Sequence, residues 1–206
     1  MAKLPREFYL GDTVQIAQNM LGMYLVRRMA DGKLLAGRIT ETEAYVGRCD
    51  KACHAYQYRR TERTSTMFGP PGHAYIYLIY GMHNCLNVVT EPEGEPSAVL
   101  IRAITPLVGV AHIQRLRYGD KPMTTARRKA FMNGPGKVCK GLLLDRKSDG
   151  IDLLGTELYL CDSPADIGIS GWEPPQERLC SGPRIGVDYA EEAREFPWRF
   201  WLETEA

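Results

Sequence analysis

Apolar and polar positions along the chain follow two different periods, and the changes of period mark its elements. Apolar residues recur at Val14, Ala17, Met20 and Leu21, behind Asp12 with Gln15 three residues on. That arrangement predicts a first helix with a capping residue at its start. Tyr24 to Met29 and Lys33 to Tyr45 then read as strands on either side of Asp31-Gly32, a dipeptide whose tolerance of positive φ suits a tight hairpin turn. A loop rich in charge and threonine, Gly47 to Gly72, separates this hairpin from three further strand-like runs: Ala74 to Tyr80, Cys85 to Thr90 and Ala98 to Ile104. Their links are short enough for antiparallel neighbours, so the centre of the chain is expected to be a meander. Past Pro106 the period turns helical, over Gly109 to Leu116, Thr124 to Met132 and Lys137 to Leu144, with Gly and Pro between. Gly155 to Cys161 and Trp198 to Leu202 predict late strands. No repeat, low-complexity tract or linker divides two cores, so residues 1–206 are expected to form one α+β domain, a curved antiparallel sheet flanked by α-helices.

Composition adds exclusions. A chain of 206 residues, 44% hydrophobic and 25% charged, has ordinary soluble globular composition. Its longest apolar stretches, Leu21 to Val26 and Ala98 to Ile101, fall far short of the roughly 20 residues of a membrane span, so no membrane partner is expected. The segment Met1 to Glu7 has no apolar run after its basic residue, and the expectation is a cytoplasmic protein without a signal peptide, nucleoid-associated in a bacterium. Six scattered cysteines in a chain with an ample core predict reduced thiols.

The net charge of +1 hides an asymmetry. Arg115 to Lys147 holds ten Lys or Arg against two acids, whereas Ser148 to Ala206 holds four Arg against thirteen acids. The basic block suits a polyanion such as nucleic acid, and it equally suits a solvated helical face balanced by the acidic third.

Four stretches carry candidate chemistry. On the strand Glu41-Thr42-Glu43-Ala44-Tyr45, a side-chain period of two puts Glu41, Glu43 and Tyr45 on one face. Carboxylates about 7 Å apart suit a glycosidic bond with water between them, and an arbitrary Glu pair also suits a solvent-facing strand edge. Tyr75 and Tyr77 face one way and Tyr80 the other, beside a turn; such aromatics serve either cross-strand packing or base stacking. Arg102, among Val99, Leu100, Ile101 and Ala103, needs an anionic partner if it points inward, and Glu43 is a candidate. Gly134-Pro135-Gly136-Lys137 offers backbone amides and a lysine to a phosphate, without the spacing of a P-loop. Cys49, Cys53 and His54 lack a second ligand pair, so no metal site is expected.

Taken together, these stretches resemble the alkyladenine (3-methyladenine) DNA glycosylase family, in its mixed-fold branch rather than the helix-hairpin-helix branch. The resemblance runs from about Leu10 to Leu202. It is carried by Gly37-Arg38-Ile39-Thr40-Glu41-Thr42-Glu43-Ala44-Tyr45, His54, Met67-Phe68-Gly69-Pro70-Pro71-Gly72, Tyr75 to Met82, Asn87, Leu100-Ile101-Arg102-Ala103, Gly134 to Cys139 and Arg184-Ile185-Gly186-Val187. The family often has a bulky aromatic where His83 stands.

The resemblance implies a monofunctional enzyme that extrudes a damaged purine from double-stranded DNA and hydrolyses its N-glycosidic bond, as a monomer and without cofactor or metal. Glu43 would hold and deprotonate the attacking water, with Arg102 beside it. Tyr45 and Tyr77 would sandwich the extruded base, His54 would meet its edge, Asn87 would crowd a guanine 2-amino group, and Ala52 would complete the pocket. Tyr80, helped by Met82, would wedge into the gap; Lys137, Arg59 and Arg63 would contact phosphates. Physical reasoning agrees: a carboxylate cannot reach a stacked base, and a cationic alkylated purine is both a good leaving group and a cation–π ligand for tyrosine. With no lysine evident in the pocket, plain hydrolysis to an abasic site is expected. Two other classes stay open on the residues alone: a non-catalytic nucleic-acid binding module, in which Glu43 is dispensable, and a small-molecule nucleoside hydrolase, which needs neither wedge nor basic block.

Overall fold

A computed structural model describes residues 3–204; Met1, Ala2, Glu205 and Ala206, the ends of the expected 1–206 domain, lie outside the described residues. Eight strands form one open antiparallel sheet: β1 (Tyr24–Arg28), β2 (Leu34–Val46), β3 (Ala74–Ile79), β4 (His83–Thr90), β5 (Ser97–Val108), β6 (Leu158–Cys161), β7 (Glu177–Gly182) and β8 (Arg199–Thr204). The order is β3-β4-β5-β2-β1-β6, with β8 pairing both β2 and β7. Four helices accompany it: α1 (Thr13–Asn19), α2 (Val110–Tyr118), α3 (Thr125–Lys129) and α4 (Pro135–Gly141).

The expected mixed architecture is therefore present, and the local reasons hold at most boundaries. Asp12 caps α1 by accepting from the Gln15 backbone N–H at 2.8 Å, while the Gln15 side chain donates forward to Asn19 instead of back to the cap. The β1–β2 turn places Gly32 at φ +83. Several boundaries moved, two of them with a clear physical reason, and one strand is new. β5 runs through Pro106 to Val108 instead of ending at Ile104. Its pairing with β4 stops at Leu100, beyond which an isolated bridge from Ala103 to Asn133 continues on that side, and Pro106 sits opposite Gly37 of β2 beside a register shift, a place where a proline is tolerated. α4 starts at Pro135, the N1 position for which fixed φ and a missing donor are suited, two residues before the expected start. β7 has no counterpart among the expected strands: Glu177, Arg178 and Ser181 interrupt any apolar alternation, and the strand is held by backbone pairing to β8 with little burial.

Alternation along the central strands divides the interior. Ile76, Leu86, Val88, Val99 and Ile101 pack toward the helices with α1 and α4 residues such as Ile16, Val138 and Cys139. The opposite face of the same strands carries Tyr75, Tyr77, Cys85, Val89 and Leu100, joined by Met67 and Phe68 from the 47–72 loop. That second, aromatic layer is where the cleft opens. All six cysteines are free thiols. Among the described residues no helix is long and apolar enough to cross a membrane.

Candidate active site

A cleft of about 1060 Å³ runs between the tyrosine face of β3–β5, the 47–72 loop, α4 and the segment 185–189. Of the sequence-predicted residues it gathers Tyr45, Ala52, His54, Arg63, Tyr77, Tyr80, Met82, Asn87, Arg102 and Lys137 in its lining. Glu43 lies just behind the wall, fully buried. Arg59 is exposed on the same loop as Arg63 but outside the lining.

β2 positions the carboxylates as its period of two requires. Glu43 Oε1 accepts from the Ile185 backbone N–H at 2.8 Å, and Oε2 accepts from the Tyr45 hydroxyl at 2.7 Å. Arg102, on the neighbouring β5, brings Nη1 to 3.3 Å from Glu43 Oε2 and donates from Nε to Glu41 Oε1 at 3.2 Å. The anionic partner expected of Arg102 is thus both glutamates. Glu41 also pairs with Arg199 at 3.0 Å, so it is clamped between two guanidinium groups, while Glu43 faces the tyrosines. Burial pushes the Glu43 carboxyl above the ordinary carboxylate range, although Arg102, the Ile185 N–H and the Tyr45 hydroxyl all work against that rise. A buried carboxylate with a raised proton affinity and a fixed set of donors has the character of a general base.

The aromatic wall is equally fixed. His54 meets the Tyr77 ring edge-on at a centroid distance of 4.5 Å, and its Nδ1 lies 3.2 Å from the Tyr75 hydroxyl. Burial, assisted by Arg63, lowers the His54 pKa to about 4, so the ring is neutral at physiological pH. Asn87 is buried and donates its amide to the Tyr75 and Cys85 carbonyls, which fixes the side chain at the cleft wall. Arg63, expected at a phosphate, stands instead with its guanidinium 5.1 Å over the Tyr77 ring and Nη2 3.3 Å from His54 Nε2. It occupies the stacking face of Tyr77 with a cation.

At the mouth, three residues, Tyr80 to Met82, connect β3 to β4, with Met82 N–H donating to Ile79 C=O at 3.2 Å. Tyr80 and Gly81 both have positive φ, +52 and +67, which is the signature of a type I′ turn. Tyrosine is a poor residue for that position, yet Tyr80 is 81% exposed and Met82 71%. Neither side chain has a packing role to offset the strain. Facing the hairpin, the first turn of α4 comes so close that a Cβ on Gly136 would lie 3.1 Å from His83 Cβ, which accounts for the second glycine of Gly134-Pro135-Gly136. Lys137 donates to Asn133 Oδ1 at 2.6 Å, and it and Lys140 line this side of the cleft. The expectation of a lysine-free pocket is therefore corrected: α4, read from two residues too late, swings its basic face into the lining.

Two contributors went unassigned in the sequence. The Ile185 N–H is invisible to any argument from side chains. Arg184 is fully buried, donates to Asp50 through both terminal nitrogens, and stacks 4.8 Å from Tyr45 and 5.2 Å from Trp198. It thereby holds the tyrosine and, through its neighbour, the Glu43 clamp. The argument used for Arg102 applies to it: an arginine in the apolar run Pro183 to Val187 requires a buried acid. Cys49, Cys53 and His54 do not converge, since Cys53 Sγ faces the Pro96 carbonyl and His54 faces Tyr75.

A buried glutamate beneath paired tyrosines, reached past an exposed hairpin and a basic helix, is the arrangement expected of one class of protein, a DNA glycosylase. Comparison with known proteins makes the assignment specific, because the sequence model of the Methylpurine-DNA glycosylase (MPG) family matches residues 7–206, and the chain belongs to that family. Among relatives, a Bacillus cereus (strain B4264) protein is 48% identical over 199 residues, covering 97% of this chain and 95% of its own length. A Bacillus cytotoxicus protein is 47% identical over 202 residues, covering 98% and 97%. Both bear the provisional name 3-methyladenine DNA glycosylase. This chain is accordingly a DNA glycosylase, a hydrolase of N-glycosyl bonds that acts on DNA containing damaged bases.

Proposed function

We propose that the protein excises alkylated purines, 3-methyladenine and 7-methylguanine foremost, with hypoxanthine and ethenoadenine as further candidates, by extruding them from duplex DNA and hydrolysing the N-glycosidic bond. The observation that carries this reading is the Glu43 arrangement: a fully buried carboxylate held by three donors directly behind Tyr45 and Arg102 of the cleft wall. Glu43 takes a proton from water while the sugar develops oxocarbenium character, and its charge stabilises that cation. Arg102 keeps Glu43 ionised and oriented. Tyr45 and Tyr77 bind the two faces of the extruded base, attracted most strongly to a purine that alkylation has made cationic. Binding such a base displaces the Arg63 guanidinium from Tyr77 and frees it for the adjacent backbone. Neutral His54 meets the base edge, Asn87 opposes an exocyclic amino group, and Ala52 closes the pocket. Lys137 and Arg59 neutralise phosphates. The enzyme acts as a monomer, and the product is an abasic site.

The test is base release from alkylated duplex compared with free alkylated nucleoside. Excision from duplex alone is expected; equal turnover of the nucleoside would identify a nucleoside hydrolase, and binding without release a non-catalytic module.

Tyr80 fills the space the base leaves. Tyr80→Ala is expected to reduce the flipped population, read by a fluorescent base analogue opposite or beside the lesion. The loss should be greater for well-paired lesions than for mispaired ones, whose extrusion costs less. An equal loss in both contexts would separate Tyr80 from base extrusion. Lys137→Ala should weaken binding to every duplex alike and reduce the slope of log K against log salt by about one phosphate equivalent. An unchanged slope would take Lys137 out of the interface.

A further inference from the structure

Among the described residues six non-glycine residues have positive φ, and two of them, Tyr80 and Leu143, line the cleft. Leu143 follows Leu142, the residue that caps the C-terminus of α4. There the Leu144 N–H donates to the Cys139 carbonyl at 2.9 Å and the Leu143 N–H to the Lys140 carbonyl at 3.4 Å. This pair of reversed bonds is the Schellman motif, and it requires a left-handed residue at the position of Leu143, whose φ is +51. Glycine, or failing that asparagine, is the residue that position favours, because a Cβ strains the left-handed backbone. The leucine is not there to fill the core. Leu142 and Leu144 on either side are buried, whereas Leu143 is 53% exposed. What calls for an explanation is the left-handed backbone at a residue whose side chain packs on nothing in the core, since strain of this kind gathers at ligand-contacting sites.

We propose that Leu143 is a second DNA-contacting finger, which packs against the sugar and base-edge surface of the duplex beside the site where Tyr80 enters. This rests on the excision reading above only for the nature of the partner. Charge around the residue agrees with a duplex: Lys140 and Lys137 on α4 and Arg117 on α2 line the cleft with it, three cations against one acid, Asp145, in this part of the lining. Gly136 abuts the hairpin at His83, and five residues of helical rise, about 7 to 8 Å, carry the chain away from it to Gly141 before the turn that holds Leu143. Apolar surface flanked by cations matches deoxyribose flanked by phosphates. Tyr80 and Leu143 thus share one design, an exposed side chain on a left-handed residue in the lining of the cleft.

The experiment measures melting temperature, and affinity for a duplex carrying a tetrahydrofuran abasic-site analogue across a salt series, for the unchanged protein, Leu143→Gly and Leu143→Asn. Both variants suit the left-handed backbone, so melting temperatures at or above that of the unchanged protein are expected. Affinity is expected to fall about tenfold in both, the size of effect given by losing half of a leucine's apolar burial. The salt slope should stay unchanged, because no phosphate contact is lost. Unaltered affinity in both variants, or a fall in melting temperature in both, would overturn the proposal, the second outcome assigning Leu143 to packing. Should the unchanged protein release no base from alkylated duplex while the affinity loss appears as stated, the finger stands and the excision reading falls.

Discussion

Glu43→Gln is expected to bind lesion-containing duplex about as tightly as the unchanged protein and to release base about a hundred to ten thousand times more slowly. That range is what a positioned general base contributes, about 3 to 5 kcal/mol of barrier. Glutamine keeps the size of the side chain and can still accept from the Ile185 N–H, but it has no basicity to take a proton from water. The variant should also melt no lower than the unchanged protein. Burial holds the Glu43 pKa above its ordinary value, so the stability this group contributes is present at low pH and is lost as pH rises through the raised pKa. At neutral pH its charge is a cost to the fold, and glutamine removes that cost. Glu41→Gln is the control on the same strand face: clamped by Arg102 and Arg199 rather than turned to the tyrosines, it should lose far less activity. Single-turnover rates separate chemistry from product release. If Glu43→Gln keeps near-normal rates, or Glu41→Gln is the variant that fails, the base has been assigned to the wrong carboxylate.

Arg102→Gln is expected to have the second largest effect, and its signature is in pH. Glu43 acts in its ionised form, so activity rises with pH as the carboxyl loses its proton. Arg102 is a principal influence holding that proton affinity down. Without the guanidinium charge the rising limb of the kcat/KM profile moves to higher pH. Stability falls as well, by about 3 to 5 kcal/mol at neutral pH, because a buried carboxylate loses its cation. That deficit should shrink toward acid pH, where Glu43 is protonated and needs no partner. A limb that stays in place in Arg102→Gln would separate it from the ionisation of Glu43.

Much of this site was legible in the sequence because it is built on strands. A period of two put Glu43 and Tyr45 on one face, and they share a hydrogen bond. The argument that an arginine amid apolar residues must find an acid placed Arg102 against Glu43 and applies unchanged to Arg184, whose partner Asp50 lies 134 positions away and is brought near only by the fold. What escaped was set by backbone rather than by side-chain pattern. The Ile185 N–H carries no residue signature. β7 is an exposed edge without apolar alternation. α4 begins at a proline within a segment that reads as punctuation, so the basic face it turns into the cleft, and Leu143 at its end, could not be oriented from spacing.

The central claim is hydrolytic excision of a damaged purine from duplex DNA, and its most direct measurement is the stoichiometry of products from a duplex methylated at defined purines. Free methylpurine is quantified by mass spectrometry, and strand integrity is read before and after alkali. Hydrolysis by a Glu43-activated water predicts one alkali-labile abasic site for each free base released, on strands that remain intact until alkali is added. Strand scission without alkali would instead show covalent attack by an amine, with Lys137 and Lys140 the nearest candidates in the cleft lining, and absence of free base from every methylated duplex would contradict the account outright.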